Sequence, residues 1–271
     1  MSHPVLFLWG HSRSCSTAFF RMMLERGDFI GVHEPFSGLV AQGYTVVDGR
    51  RATSGSEVLD ILEEMSHRTP VFVKEVTEFR YDVQDDPRLA QMGTHSFIVR
   101  DPAQTIASHY AMNPEVSCGE IGYEHEWNLH AELHAATRNP APVVEAEQLL
   151  AAPEAVVRAY CGRTGIPFEA AALDWQPGHR EEWERTARWH QDVARSSGFT
   201  ARTRNYDVNV RNHPRLAAYH AYHLPYYERL RAHALTRPVA QSPAAAPSAG
   251  SSSGSFTPTS SSPRSAAMTP A

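Results

Sequence analysis

Between Gly10 and Thr17 the chain reads Gly-His-Ser-Arg-Ser-Cys-Ser-Thr, and a helical pattern takes over at Ala18. Small hydroxyl residues around one arginine, at the junction of an apolar run and a helix, are the chemistry of an anion site. The free amides of the first helical turn, the positive end of its dipole and the Ser/Thr hydroxyls all converge there. An ordinary hydroxyl-rich N-cap has the same composition, but Arg13 at the centre favours a bound phosphate or sulfate. The run is not a Walker A loop, because GxxxxGK[ST] is absent. A second cation, Arg100, closes the apolar run Ser96-Phe97-Ile98-Val99, and Ser108 follows two helical turns later, so both can reach an anion at one edge. A third closes Val71-Phe72-Val73: Lys74 is the only lysine among 25 basic residues. Base composition explains the arginines; a solitary ammonium in an apolar run asks for a local reason, since the two cations differ in shape and hydration. His33-Glu34-Pro35-Phe36 adds an imidazole and a carboxylate after another apolar run.

Other reactive residues carry weaker readings. His130 and His134 have the i, i+4 spacing of metal ligands, but HExxH order and a third ligand are missing, so no metal site is expected. Cys15 stands beside Arg13 at a helix start, where thiols are acidified, yet no His/Asn partner is evident and it reads as a small loop residue. Trp175, Trp183 and Trp189 either line an acceptor pocket or fill a helical cap.

These residues need a scaffold that brings strand ends together. Val5 to Trp9, Phe29 to His33, Val71 to Val76, Ser96 to Val99 and Pro142 to Glu145 read as strands; residues 17–26, 55–67, 102–112, 119–137, 152–164, 180–195 and 213–235 read as helices. That alternation predicts an α/β fold, three layers with a mainly parallel sheet and a helical C-terminal part. In such sheets ligands bind beyond the carboxyl ends of the strands, which is where Arg13, Lys74 and Arg100 fall. Residues 1–236 are expected to form one domain. From 237 to 271 the sequence turns to Ala, Ser, Pro and Thr and is expected to be a disordered tail.

With 42% hydrophobic and 20% charged residues the composition is that of a globular chain, and a net charge of -5 offers no basic surface for nucleic acid. Without Arg237 and Arg264 the first 236 residues hold 23 basic against 30 acidic side chains, so a bound anion must rely on local donors. Three scattered cysteines without CxxC spacing point to a reducing compartment. The N-terminal residues lack a signal-peptide pattern and no run suits a membrane helix, so a cytoplasmic protein without membrane partners is expected.

The loop Ser12-Arg13-Ser14-Cys15-Ser16-Thr17 and the Arg100 to Ser108 stretch, in that order and each after a strand, resemble the sulfotransferases that use 3'-phosphoadenosine 5'-phosphosulfate (PAPS). The segment Val143-Val144-Glu145-Ala146-Glu147-Gln148-Leu149-Leu150 through Phe168 is similar to the family's next strand and helix, so the resemblance spans roughly residues 4 to 168. It implies a P-loop-NTPase-like sulfotransferase fold. Ser12, Arg13, Ser14, Cys15, Ser16 and Thr17 would hold the 5'-phosphosulfate, with Arg13 where many members carry lysine. Arg100 and Ser108 would hold the 3'-phosphate. Lys74 falls on the family's Lys-x-His segment, with Val76 where the usual histidine base stands. Glu34 is similar in position to the catalytic carboxylate of bacterial and carbohydrate-type members, which makes it the expected general base, with His33 as rival. The family's Gly- and basic-rich nucleotide loop has a candidate in Arg195-Ser196-Ser197-Gly198 with Arg202 and Arg204.

The function implied is transfer of sulfuryl from PAPS to a hydroxyl or amine of a small-molecule metabolite, with Arg13 and Lys74 stabilising the sulfuryl group and leaving phosphate and no metal required. Two alternatives stand beside it: a P-loop-like small-molecule kinase, opposed by the missing GK[ST], and a catalytically inactive protein that binds PAPS or its product, 3',5'-adenosine bisphosphate (PAP).

Overall fold

Alternation along the first strand sets the architecture. Val5, Phe7 and Trp9 enter one apolar cluster, while Leu6 and Leu8 enter another on the opposite face. The strand is thus buried on both sides, as a central parallel strand must be. The structure, a computed structural model, describes residues 2–200 and 204–235. The tail expected at 237–271 lies outside the described residues, as does Arg202.

In chain order the elements are β1 (Val5–Gly10), α1 (Ser16–Glu25), β2 (Ile30–His33), α2 (Pro35–Gln42), β3 (Thr45–Val47), β4 (Arg50–Ala52), α3 (Gly55–Ser66), β5 (Val71–Val76), α4 (Arg88–Met92), β6 (Thr94–Val99), α5 (Pro102–Met112), α6 (Tyr123–Thr137), β7 (Val143–Glu145), α7 (Ala146–Ala151), α8 (Pro153–Thr164), α9 (Gln191–Ala194) and α10 (Pro214–Arg231). Five strands form one parallel sheet in the order β2-β5-β1-β6-β7. Helices α1 and α8 cover one face, and α3, α5, α6 and α10 the other. The fold is the three-layer α/β arrangement that the alternation predicts, with helix α10 packed on α5 and α6. Strand β1 lies between β5 and β6, so the loops leaving it and its neighbours part at the carboxyl edge and open a crevice there.

Local sequence places the two anion loops. Asp101 caps α5, its carboxylate accepting from the amides of Ala103 at 2.7 Å and Gln104 at 3.3 Å, and Pro102 occupies the first turn, where its missing N–H costs nothing. The Arg100-Asp101-Pro102 run therefore ends β6 and starts α5 within three residues. At Gly10, an added Cβ would lie 2.6 Å from Ile98 Cγ2 and 2.9 Å from Ser14 Oγ, so only glycine lets the first loop leave β1 beside β6.

Two expectations are corrected. Residues 180–195 do not form one helix: Glu181–Trp189 is a 3-10 stretch broken by non-helical Trp183 and Thr186, and α9 covers only Gln191–Ala194. Trp183 is drawn into the core against Phe20, and His190 is tied to Thr17, so tertiary contacts override the helical period. Helix α2 and the β3–β4 hairpin appear where no element was expected. No helix among the described residues is long and apolar enough to cross a membrane.

Candidate active site

Backbone strain concentrates at the crevice. Of the five non-glycine residues with positive φ among the described residues, three are Arg13, Cys15 and Glu34. Each left-handed residue costs on the order of 1 kcal/mol, and such costs persist where a site demands the geometry. Arg13 at φ 67° and Cys15 at φ 71° fold the loop so that α1 begins at Ser16, with Ser16 and Thr17 of its first turn lining the crevice.

That crevice is a cavity of about 420 Å³, a volume suited to a small-molecule ligand. Ser12, Arg13, Cys15, Ser16 and Thr17 line it from the first loop, Arg100 and Ser108 from the second, and Glu34 and Lys74 from the ends of β2 and β5. Sequence expectation and structure thus meet in one cavity for nine of the eleven candidate residues. Ser14 is the first exception. Its side chain is fully buried under the loop with no partner for Oγ, because the left-handed turns on either side of it point it inward. His33 is the second. Enclosed by Phe20, Trp183 and His190, it stays behind the cavity wall, with Nε2 at 3.7 Å from Glu34 Oε1.

The two anion loops touch. Arg13 Nε donates to Ser108 Oγ at 3.1 Å, and Arg100 Nη1 donates to the Arg13 carbonyl at 3.2 Å. Arg13 also donates through Nη1 to the Trp189 carbonyl at 2.7 Å and lies 3.7 Å from Asp192. Burial pulls its guanidinium below the ordinary arginine value. Burial pushes the Cys15 thiol up, which removes the acidified-nucleophile reading.

Lys74 and Glu34 are joined twice. The Glu34 amide donates to the Lys74 carbonyl at 2.7 Å, extending the β2–β5 ladder, and Lys74 Nζ donates to Glu34 Oε1 at 2.5 Å. The lysine side chain is 2% exposed and the carboxylate 7%. Burial pushes the Glu34 carboxyl up, but the charge and hydrogen bond of Lys74, with lesser contributions from His33 and His190, together hold the group well below the usual carboxylate range. Beneath them, Glu75 accepts from the amides of Phe36, Ser37 and Val76 at 2.6, 3.2 and 2.8 Å and so fixes the start of α2 and the position of Glu34.

Apart from Trp189, offered as one possible pocket residue, sequence reasoning missed the wall contributed by residues 185–192. Arg185 donates to the Glu34 carbonyl at 3.1 Å, and His190 shares Nδ1 with Thr17 Oγ1 at 3.1 Å and Nε2 with Thr186 Oγ1 at 3.0 Å. Burial lowers His190 to about 3, so its ring is neutral. Glu78, hydrogen-bonded by the Ser12 hydroxyl, also lines the cavity, and burial raises its carboxyl. Of the tryptophans, Trp175 and Trp183 are core residues and Trp189 lines the cavity. From the candidate nucleotide loop, Ser196, Gly198 and Arg204 reach the cavity.

His33, Glu34 and His190 bring one ligand atom each within 4.8 Å of one another. The donor set suits a cation poorly: the Lys74 ammonium occupies Glu34, and threonine hydroxyls face both nitrogens of His190. His130 of the discounted pair is buried against Phe97 with Nε2 at 3.2 Å from the Ala141 carbonyl, while His134 is exposed.

A family model described as a sulfotransferase domain matches residues 5–234. Two curated relatives from Arabidopsis thaliana, branched-chain-amino-acid aminotransferase-like proteins 2 and 1, are each 26% identical, over 209 and 254 residues that cover 73% and 86% of this chain. The matches cover 36% and 43% of the relatives, so the chain spans about two fifths of the proteins it matches. A solved sulfotransferase domain from the curacin biosynthetic pathway aligns with 73% of this chain and 84% of its own, at 14% identity and a TM-score of 0.45.

Proposed function

The chain belongs to the sulfotransferase domain family, and from that premise we propose that it moves a sulfuryl group from PAPS to a hydroxyl or amine of a small metabolite. The observation that carries the reading is the Lys74–Glu34 pair, set in the wall of the same cavity as the Arg13 loop. In this reading the α1 amides, Arg13 and the hydroxyls of Ser16 and Thr17 hold the 5'-phosphosulfate. Arg100 and Ser108 hold the 3'-phosphate.

The acceptor attacks sulfur in line as the bond from sulfur to the bridging phosphate oxygen breaks, and PAP leaves with that electron pair. Charge growing on the sulfuryl and phosphate oxygens meets Lys74, Arg13 and the helix terminus, preorganised cationic and dipolar donors of the kind that supply the largest share of such catalysis. The acceptor proton passes to Glu34. A carboxylate paired with an ammonium is a weak base, so drawing Lys74 toward the sulfuryl oxygens raises Glu34's proton affinity when the acceptor must lose its proton. His33, behind the wall, acts on the proton only through Glu34.

The test has two stages. Calorimetry should show PAP binding without magnesium, and mass spectrometry of a metabolite extract incubated with protein and PAPS should show a gain of one sulfuryl group. Binding of ATP only with magnesium would favour a kinase, and PAP binding without any transfer would favour the inactive binder.

A further inference from the structure

Arg100 is placed by its peptide groups as well as by its side chain. Its amide donates to His11 Nε2 at 3.2 Å, and its carbonyl accepts from the Tyr123 hydroxyl at 2.5 Å. A backbone amide can only donate, so Nε2 carries the lone pair and the ring proton is on Nδ1. Nδ1 lies 3.0 Å from the Ser12 carbonyl, an atom that can only accept. Both contacts are satisfied by one tautomer of a neutral imidazole, and burial, which lowers His11 to about 3, keeps it neutral.

One side chain therefore spans from the first anion loop to the end of β6, 89 residues apart in sequence. The ring itself is fixed. It packs against Tyr123 with 4.0 Å between centroids and the rings tilted by 30°, and the His11 amide donates to Glu126 Oε2 at 3.1 Å. Glu126 is fully buried, and burial raises it well above the ordinary carboxyl range. Gly122, at φ 92°, begins α6 where an added Cβ would lie 2.7 Å from the Thr77 carbonyl, so α6 enters close enough to seat Tyr123 and Glu126 against His11. None of these groups lines the cavity.

We propose that His11, with Tyr123 on the far side of the Arg100 peptide, is a positioning residue that fixes the spacing between the two anion loops, so that a nucleotide's 5' and 3' groups are recognised as a rigid pair. The proposal rests on the PAPS reading of the cavity. Its function is discrimination: a nucleotide with a 3'-phosphate gains from Arg100 only if Arg100 is held at the right distance from the Arg13 loop, because ordering it on binding would consume the gain.

The test is the ratio of PAP to AMP affinity by calorimetry, since AMP lacks the 3'-phosphate. In His11→Asn the amide can still donate to the Ser12 carbonyl but does not reach Arg100; in His11→Gln an oxygen can take the place of Nε2 while the Ser12 link is lost. The ratio should fall about tenfold in His11→Ala and His11→Asn and stay within about threefold of wild type in His11→Gln. A merely structural role would weaken both nucleotides alike and leave the ratio unchanged, and that result in Ala and Asn overturns the proposal. Should the His11 variants fail to fold, Tyr123→Phe removes only the hydroxyl from the Arg100 carbonyl, and a wild-type ratio there overturns it instead. If wild-type protein binds PAP no better than AMP, the PAPS reading itself fails and this proposal with it.

Discussion

Lys74 shows how a residue type can be decided by the space around it. With its side chain 2% exposed and Nζ at 2.5 Å from Glu34 Oε1, there is room for a compact ammonium and none for a planar fork. Lys74→Arg should therefore cost about 1–3 kcal/mol in urea unfolding through overpacking, and sulfuryl transfer should fall at least about 100-fold. Near-normal turnover would make the lone lysine an accident of composition. Glu34→Gln keeps the shape but removes the charge, so PAP should still bind while turnover drops by about 100- to 10,000-fold, the scale of a lost general base. A turnover within threefold of wild type would pass the role to His33 or to Glu78, another carboxylate on the cavity. At this scale the sequence was informative where a residue sits at or just beyond the carboxyl end of a strand, as Lys74 does within β5, Glu34 and Arg100 directly after β2 and β6, and Arg13 in the loop after β1. It was silent on Arg185 and His190, which reach the site from more than 150 residues away. It misled at Ser14, whose direction depends on left-handed turns at Arg13 and Cys15 that composition does not announce.

Among the elements, α2 is held by its neighbour. Glu75 accepts two amides at its start and one at the end of β5, and Glu75→Ala would leave buried N–H groups without partners. The expected loss is about 1–3 kcal/mol by urea denaturation, and Glu75→Gln, which retains an acceptor, should recover part of it. Equal stability of all three proteins would show that α2 does not depend on this cap. The five sheet strands were legible because each is an apolar run with β-branched or aromatic residues. The β3–β4 hairpin had a signal that went unread, the Asp48-Gly49 turn between Thr45-Val46-Val47 and Arg50-Arg51-Ala52. Helix α2 was obscured by Pro35 and Gly38, which read as a turn although Pro35 sits in the first turn where proline is at home. The break in 181–189 had no local cause to read, since it comes from Trp183 and His190 packing elsewhere.

For the molecule as a whole, buried titratable groups set a narrow range of pH. Burial lowers His11 and His190 to about 3 and His95, His109 and His130 to about 4, against 6.5 for a free imidazole. Unfolding then takes up protons that the folded state refuses, so stability is whole above pH 6.5 and falls as pH drops toward 4. The slope is roughly 1.4 kcal/mol per pH unit for each histidine at most. Glu75 has the opposite sign: burial, followed by the charge of Glu34, raises it to about 8 from 4.5, so its contribution declines as pH rises between those values. Urea midpoints should therefore be highest near neutrality and drop steeply by pH 5; a midpoint unchanged between pH 7 and 5 would mean that these histidines are protonated in the folded state. Charge was legible at this scale too, since an acidic chain must gather its cations locally, and Arg13, Lys74, Arg100, Arg185, Arg188 and Arg204 do line one cavity.

The wall formed by residues 185–192 also bears on when the site comes into being. Thr17 meets His190 across 173 positions and Arg13 meets the Trp189 carbonyl across 176. All five strands of the sheet are complete by residue 145. During synthesis the anion loop therefore emerges before any other part of the sheet's carboxyl edge, yet its second side arrives only after some forty residues beyond the last strand have left the ribosome. A nascent chain that has completed its strands holds half a site, and competence to bind waits on the segment that follows them.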